Sequence, residues 1–242
     1  MSRLRNPQSP VEQKVSESGE NSLDFDWIVF DSTGTLMAPK PEAASVYLSI
    51  GAQFGLDLSL DSVRSSLRQS IRNHFFGDRI EQPTDESLED IRWRRIVSDV
   101  LPGLDGDRFE DAFHTLWHQF ADASSWELFD DVHEVLGRLR QRGYRIAAAS
   151  NFDRRLRGIA RDLGLAEKLD EILISSELRF SKPNTKFYDR ATERLGARDR
   201  SRLLMIGDTF RGDVEAARAA GWKARHLIRD QEDALLTLTA DL

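Results

Sequence analysis

The stretch over residues 27–36 constrains the fold more than any other part of the chain. It begins with four apolar residues, two of them β-branched, and continues at once into Asp31 and a run of small and hydroxylated residues. A short apolar run of this kind is typical of a strand that is buried on both faces of a parallel sheet. Asp is rarely buried unless it is paired or binds a metal. The stretch therefore predicts a central strand with a carboxylate at its carboxyl end, where ligands bind in open α/β sheets.

The apolar pattern elsewhere divides the chain into three parts. Residues 1–22 are polar and contain two prolines, which predicts a disordered tail. Residues 41–125 carry apolar residues at steps of three and four, so we predict a block of helices with no strand between them. From residue 126 onward, helices and strands alternate, which indicates βαβ units and a parallel sheet. We therefore assign residues 23–40 and 126–242 to one α/β core, and residues 41–125 to a helical cap over its site.

The elements of the second half follow from the same periodicities. Gly143 and Gly221 end two of the predicted helices. The pattern predicts helices over 131–142, 154–163, 184–195 and 213–220, and strands over 144–150, 171–175, 202–206 and 222–228.

Composition excludes several classes of function. The chain of 242 residues contains no cysteine, so it has neither a thiolate nucleophile nor a cysteine-ligated metal. Its net charge of -7, with acids and bases interspersed, argues against a nucleic-acid binder or a protein that binds anionic membranes. No apolar run reaches the roughly 18 residues that span a bilayer, and the amino terminus lacks the apolar core of a signal peptide. We expect a cytoplasmic protein.

Polar residues recur where other predicted strands end. Ser150 and Asn151 follow one strand, Lys182 precedes a helix, and Asp208 follows another strand with Asp213 five residues later. Each residue alone has an ordinary interpretation as a helix cap, a turn residue or a surface charge, and so does Asp31. Because the carboxyl ends of parallel strands meet at one edge of a sheet, their recurrence favours a shared site.

Together these motifs resemble those of the haloacid dehalogenase-like hydrolase superfamily, in particular its subfamily with a small helical cap. The resemblance rests on Asp31-Ser-Thr-Gly-Thr-Leu, Ser150-Asn, Lys182-Pro and Gly-Asp208 with Asp213, in this order, and on the helical block after the first motif. It covers about residues 25–229. The fold that it implies is a Rossmann-like parallel sheet, in the order 3-2-1-4-5, with an inserted helical cap.

The resemblance also implies roles for individual residues. Asp31 would be the nucleophile and would form an aspartyl phosphate. Ser150 and Asn151 would bind the phosphoryl group, and Lys182 would bind it and offset the negative charge. The implied cofactor is Mg²⁺, with the ligands Asp31, the backbone carbonyl of Thr33, Asp208 and Asp213. The implied substrate is a small phosphorylated metabolite.

Thr33 departs from the family pattern, in which phosphatases usually carry a second Asp two residues after the nucleophile. That Asp protonates the leaving group and later activates water, and a Thr hydroxyl does not titrate near neutral pH. General acid–base help is worth roughly 10²–10⁴-fold in rate. We therefore predict slow turnover, or a preference for good leaving groups such as acyl phosphates.

Three alternatives stay open from the sequence. Thr33 is compatible with a metal-binding regulatory module that has lost turnover. A 2-haloacid dehalogenase uses the same nucleophile without metal, although such relatives replace the acid that is present here as Asp208. Phosphonate cleavage needs a lysine in the cap, and the block offers only Lys40 at its edge.

Overall fold

The computed structural model describes residues 23–77 and 81–242. The predicted disordered tail over residues 1–22 lies outside these residues. Within the described part of the chain, no helix is both long enough and apolar enough to cross a membrane.

A five-stranded parallel sheet forms the centre of the described structure, and a separate antiparallel pair of strands lies beside it. The strands are β1 Trp27–Phe30, β2 Met37–Pro39, β3 Trp126–Leu128, β4 Arg145–Ser150, β5 Glu171–Ile174, β6 Leu203–Gly207 and β7 Lys223–His226. The large sheet has the order β5-β4-β1-β6-β7. Counted along the chain within that sheet, this is 3-2-1-4-5, so the predicted fold class and strand order are confirmed.

Helices cover both faces of the sheet and form the insertion after β2. They are α1 Ala43–Gln53, α2 Leu60–Phe76, α3 Glu86–Val100, α4 Gly106–Gln119, α5 Val132–Gln141, α6 Arg155–Asp162, α7 Ser175–Leu178, α8 Thr185–Arg194, α9 Ala216–Ala219 and α10 Ala234–Leu238. A π-helical segment, Phe210–Glu215, precedes α9.

β1 is apolar throughout because helices cover the sheet on both sides. Ile28 and Phe30 point to the face covered by α5 and α10. Trp27 and Val29 point to the other face, against α8 and α9. Complete burial of such a side chain contributes about 1.5–3 kcal/mol. The strand is therefore held firmly on both sides, and the residue that follows it has a fixed position.

The inserted helices α1 to α4 have an apolar core of their own, which includes Val46, Ile96 and Phe113. α3 has Asp85 as its N-cap, and the Asp85 side chain accepts a hydrogen bond from the Leu88 N–H at 2.9 Å. The helical pattern of residues 42–121 thus reports packing between these four helices.

Two features differ from the sequence prediction. β2 and β3 pair where the chain leaves and re-enters the sheet region, with Met37 opposite Leu128, and neither strand is among those predicted from the sequence. Three-residue strands are too short to show a period of two. The helix predicted over 213–220 begins earlier, because the chain first forms the π-helical segment that contains Asp213. Single π-turns of this kind are frequent at functional sites.

Candidate active site

Asp31 lies at the carboxyl end of β1, between the ends of β4 and β6. Its backbone N–H donates to the Ile206 carbonyl at 2.9 Å, which extends the strand pairing by one residue. The side chain is buried, with 7% of the residue exposed. β1 lies at the point where the strand order of the sheet reverses, between β4 and β6. In open α/β sheets, ligands bind in the crevice at this point.

Three carboxylates meet at this point. One carboxylate oxygen each from Asp31, Asp208 and Asp213 lies within 4.8 Å of the others. Asp208 follows β6 directly, and the π-helical segment turns Asp213 back toward the same strand end, where it accepts a hydrogen bond from the Thr209 N–H at 3.0 Å. We call Asp31, Asp208 and Asp213 the acidic cluster.

Lys182 is the cation of this cluster. Its ammonium group donates to Asp31 Oδ1 at 2.6 Å, to Asp213 Oδ1 at 2.6 Å and to the Ala149 carbonyl at 2.8 Å. All three N–H bonds of the ammonium are therefore used, and the residue is buried. The Asn151 amide bonds the Lys182 backbone in both directions, at 2.7 and 2.8 Å. Asn151 thus positions Lys182, and its predicted contact with substrate stays a prediction.

Charge is unbalanced in the cluster, because three carboxylates surround one ammonium group. Burial, together with the charges of Asp213 and Asp208, raises the pKa of Asp31 to about 8 against the opposing effect of Lys182. Burial also raises the pKa of Asp208, and the charge of Asp213 adds to the effect. Burial lowers the pKa of Lys182, but Asp213 and Asp31 outweigh it, so the pKa is raised and the side chain stays charged.

These residues fit a divalent cation. Mg²⁺ prefers carboxylate and carbonyl oxygens and keeps several waters, and the cluster offers three converging carboxylates with too little positive charge. Burial is the largest cause of the raised pKa values of Asp31 and Asp208, and the charge of Asp213 adds to it; a bound cation would favour the ionised forms of both side chains. The predicted fourth ligand, the Thr33 carbonyl, belongs to the exposed turn two residues after Asp31.

Two glycines are required by the close approach of the acidic side chains. Gly34 has a φ of 90°, and a Cβ there would lie 2.6 Å from Asp208 Oδ2. A Cβ on Gly207 would lie 2.4 Å from the Asp213 carboxylate. These contacts are too short for any side chain, so both positions bring backbone against carboxylate.

Ser150 ends β4 beside the cluster. It is buried, and its Oγ accepts a hydrogen bond from the Ser32 hydroxyl at 2.5 Å. Ser32 belongs to the first motif, and the sequence alone indicates no role for it. The structure pairs it with Ser150 across 118 positions of the chain, which no local pattern shows.

Two further residues, Thr35 and His226, contact Asp208, and the sequence alone indicates no role for either of them. The Thr35 hydroxyl accepts from the Asp208 N–H at 3.2 Å and donates to Asp208 Oδ1 at 3.3 Å. The His226 Nε2 lies 2.9 Å from the Asp208 carbonyl oxygen. Thr35 belongs to the first motif and could have been singled out there, whereas His226 carries no signal in the sequence.

A cavity of about 260 Å³ extends from the acidic cluster into the helical insertion. Asp31, Thr33, Ser150, Asn151, Lys182 and Asp213 line its polar end. Helices α1 to α4 and the loop after β4 supply most of the rest. Six of the site residues chosen from the sequence thus line a single cavity, and Asp208 does not line it but has a carboxylate oxygen within 4.8 Å of one of Asp31.

The fold and this cluster define a class of hydrolases. The family model for haloacid dehalogenase-like hydrolases matches residues 25–221, which is most of the chain. The chain therefore belongs to the haloacid dehalogenase-like hydrolase family, and the resemblance read from its motifs is confirmed.

Individual relatives agree with this assignment. The chain is 26% identical over 205 residues to haloacid dehalogenase-like hydrolase domain-containing protein 3 of Danio rerio, covering 81% of each chain. It is 26% identical over 137 residues to the pyrimidine 5'-nucleotidase PynA of Streptococcus pneumoniae, covering 56% of each. The HAD-hydrolase YfnB of Bacillus subtilis, solved bound to magnesium, shares the fold with a TM-score of 0.66 at 18% identity, over 86% of this chain and 90% of that one.

Proposed function

We propose that this protein is a Mg²⁺-dependent phosphatase or phosphotransferase that acts on a small phosphorylated metabolite through an aspartyl phosphate on Asp31. The observation that carries the proposal is the acidic cluster at the polar end of a cavity, with Lys182 bound to Asp31 and Asp213. A screen of phosphorylated metabolites with Mg²⁺ tests it, run beside the Asp31→Asn variant. The PynA relative, a nucleotidase by name, supports phosphoryl chemistry.

Each residue has a defined task in this proposal. Asp31 Oδ2 is the oxygen that Lys182 leaves free, so it is the atom that would attack phosphorus. Lys182 fixes the orientation of the carboxylate and offsets part of its charge. The Ser150 and Ser32 hydroxyls lie at the adjoining strand end, where they would donate to phosphoryl oxygens. Mg²⁺, held by Asp31, Asp208, Asp213 and the Thr33 carbonyl, would supply the positive charge that lets a carboxylate approach a phosphate.

Two further expectations belong to the proposal. We propose that residues 41–125 form the cap and that residues 23–40 and 126–242 form the catalytic core, since α1 to α4 share a separate apolar core and line the far end of the cavity. We also propose that the protein acts in the cytoplasm, on a metabolite and without a nucleic-acid or membrane partner, in keeping with its interspersed charge.

Thr33 supports a second candidate, a metal-binding module in which the nucleophile no longer turns over. It lines the cavity at the position where the family's phosphatases carry an acid. Trapping with beryllium fluoride and Mg²⁺ separates the two, because a working nucleophile forms a stable adduct on Asp31. A protein that gives neither the adduct nor a phosphoenzyme belongs to the second candidate. The dehalogenase alternative requires halide release from a 2-haloacid in EDTA.

The Thr33→Asp variant is expected to hydrolyse alkyl phosphates about 10²-fold faster than the wild type. An aspartate there supplies the proton that a poor leaving group needs, and such help is worth roughly 10²–10⁴-fold. The measurement is kcat/KM for an alkyl phosphate and for an acyl phosphate, the latter changing little. Thr33→Asn is the matched control, since it has the same shape without a titrating proton. Equal kcat/KM values for the alkyl phosphate in Thr33→Asp and Thr33→Asn would contradict the explanation that the missing acid makes turnover slow.

Mg²⁺ is expected to stabilise the protein more near pH 8.5 than near pH 6. Since burial raises the pKa of Asp31 to about 8, Asp31 must lose a proton to bind the cation below that pH, and the proton competes with the metal. A cation at about 100 times its Kd adds about 2.7 kcal/mol to the free energy of unfolding. Thermal denaturation with and without Mg²⁺ measures the shift at both pH values.

The Asp208→Asn variant is the control for the metal, because it removes one ligand charge and keeps the side chain's shape. Its Mg²⁺-dependent shift should be much smaller. An equal shift in the variant and the wild type would place the cation elsewhere on the protein.

A further inference from the structure

The far end of the cavity is built from aromatic side chains. Tyr47 of α1, Phe75 of α2, Trp93 of α3 and Trp117 of α4 line it, together with Phe152 of the loop after β4. Each ring comes from a different element, so the wall exists only in the folded molecule. Aromatic side chains offer large apolar area and rigid faces on which a planar group can stack.

The far end also carries little net charge. Among the described residues that line the cavity, Asp31, Asp213 and Lys182 belong to its polar end, and the charged side chain at the aromatic end is Arg155. Its guanidinium donates to both carboxylate oxygens of the buried Asp153, at 2.8 and 2.7 Å. It also stacks 3.5 Å from the centre of the Trp117 ring. Arg155 is thus neutralised and held in place, so it does not offer a free charge to an anionic group.

Tyr47 places a hydroxyl group at this end. The residue is 2% exposed and lines the cavity, and its hydroxyl has no hydrogen-bond partner among residues 23–77 and 81–242. The hydroxyl oxygen is not among the fully buried unpartnered atoms of the described residues, so it is open to the cavity, where a ligand atom can accept its hydrogen bond. Burial raises the pKa of Tyr47, so the hydroxyl stays protonated and can donate.

We propose that the cavity takes the phosphate ester of a neutral, planar ring compound, and that the Tyr47 hydroxyl donates a hydrogen bond to one acceptor atom on that ring. This inference rests on the proposed function for the phosphate end of the ligand. The ring would stack among the aromatic side chains while the phosphate reaches Asp31 and Lys182. Tyr47 is then a specificity-determining residue.

The size of the cavity agrees with one ring and a phosphate. An apolar cavity of roughly 150 Å³ in another protein binds benzene, and the cavity here measures about 260 Å³. The difference is enough for a phosphoryl group and a short linker. A sugar phosphate of the same size would bring several hydroxyls against aromatic faces that offer them few partners.

Non-hydrolysable phosphonates test the inference by calorimetry on the whole protein with Mg²⁺. Benzylphosphonate is expected to bind at least tenfold more tightly than methylphosphonate, because the ring leaves water. 4-Acetylbenzylphosphonate should bind at least as tightly as benzylphosphonate, and 4-carboxybenzylphosphonate at least tenfold more weakly than the acetyl compound. Equal binding of benzyl- and methylphosphonate, or tighter binding of the carboxy compound, would overturn the inference.

Two variants test the role of Tyr47. Tyr47→Phe removes an oxygen that no described residue bonds, so the fold is kept, and 4-acetylbenzylphosphonate should bind about three- to tenfold more weakly. Its affinity for benzylphosphonate should stay unchanged. Tyr144→Phe is the matched control, since Tyr144 is buried under the sheet and away from the cavity. A loss of the same size for both phosphonates would overturn the hydrogen bond.

Acetophenone separates failure of this inference from failure of the proposed function, because it carries the ring and the acceptor without a phosphate mimic. One outcome is that the phosphonates do not bind, acetophenone binds, and Tyr47→Phe weakens the binding of acetophenone. This outcome would support the ring site and contradict the proposed phosphate site. If benzylphosphonate and acetophenone both fail to bind, the inference is overturned whatever the phosphatase assays show.

Discussion

Replacement of Asp31 by asparagine is expected to abolish phosphate release, with a loss of kcat on the order of 10⁴–10⁶-fold, as for other covalent nucleophiles. The amide keeps the shape of the side chain but cannot attack phosphorus. The assay is hydrolysis of a nitrophenyl phosphate with Mg²⁺, with acid quenching to trap the phosphoenzyme. No phosphoenzyme should form in the variant.

Although Asp31→Asn should lose activity, it should not lose stability. The pKa of Asp31 is higher in the folded protein than in the unfolded chain. At a pH above the unfolded pKa, the ionised carboxylate therefore costs free energy in the folded state. A neutral amide removes that cost, so the free energy of unfolding in EDTA near pH 8.5 should be equal to or higher than that of the wild type. The variant thus loses activity without losing its fold.

Asp189→Asn is the matched control for this experiment. Asp189 is paired with Arg200 at 2.7 Å on the protein surface, away from the cavity. The same chemical change there should leave turnover intact. Retention of activity by Asp31→Asn would contradict the assignment of the nucleophile. Loss of activity in Asp189→Asn would contradict the expectation that only the change at the site matters.

Replacement of Lys182 by methionine is expected to destabilise the protein and to inactivate it. Methionine has a similar length but leaves Asp31 and Asp213 without their shared partner, and breaking a buried ion pair in this way costs about 3–5 kcal/mol. Loss of the positive charge at the phosphate should lower kcat by roughly 10²–10³-fold. Urea unfolding in EDTA and the phosphatase assay measure the two effects.

The destabilisation of Lys182→Met should depend on pH in a defined direction. Lys182 opposes the rise that burial causes in the pKa of Asp31, so without the ammonium group this pKa rises further above that of the unfolded chain. Raised values mean that the stability present at low pH is lost as pH rises, so the difference from the wild type should be larger near pH 8 than near pH 5. A difference that shrinks with rising pH would contradict the ion-pair geometry.

Lys186→Met is the control for the loss of a lysine. Lys186 lies four residues further along, is exposed, and has its ammonium 5.1 Å from the centre of the Phe180 ring. Its replacement should change the free energy of unfolding by less than about 0.5 kcal/mol. A comparable loss of unfolding free energy in Lys182→Met and Lys186→Met would indicate a general effect near the start of α8 and not an effect specific to the site.

Much of the fold follows from local patterns that survive in a single sequence. The run over residues 27–30 is apolar on both sides and so predicts a central strand, which is what β1 is. The steps of three and four in residues 42–121 predict helices, because one face of each must be buried. The short pair β2 and β3 and the π-helical start at Phe210 carry no such pattern, since each depends on contacts made elsewhere in the chain.

The strand ends that carry Asp31, Ser150 and Asp208 can be predicted from the amino-acid sequence, because buried strands and the turns after them are local features of composition. The contacts of these residues depend on the folded molecule, which places the ammonium of Lys182 between two carboxylates and the Ser32 hydroxyl on Ser150. The folded molecule alone also sets the chemistry of the cavity. A helical period reports that a residue such as Tyr47 is buried, but not whether its buried face meets the core or a space for a ligand, because that depends on how separate helices pack together.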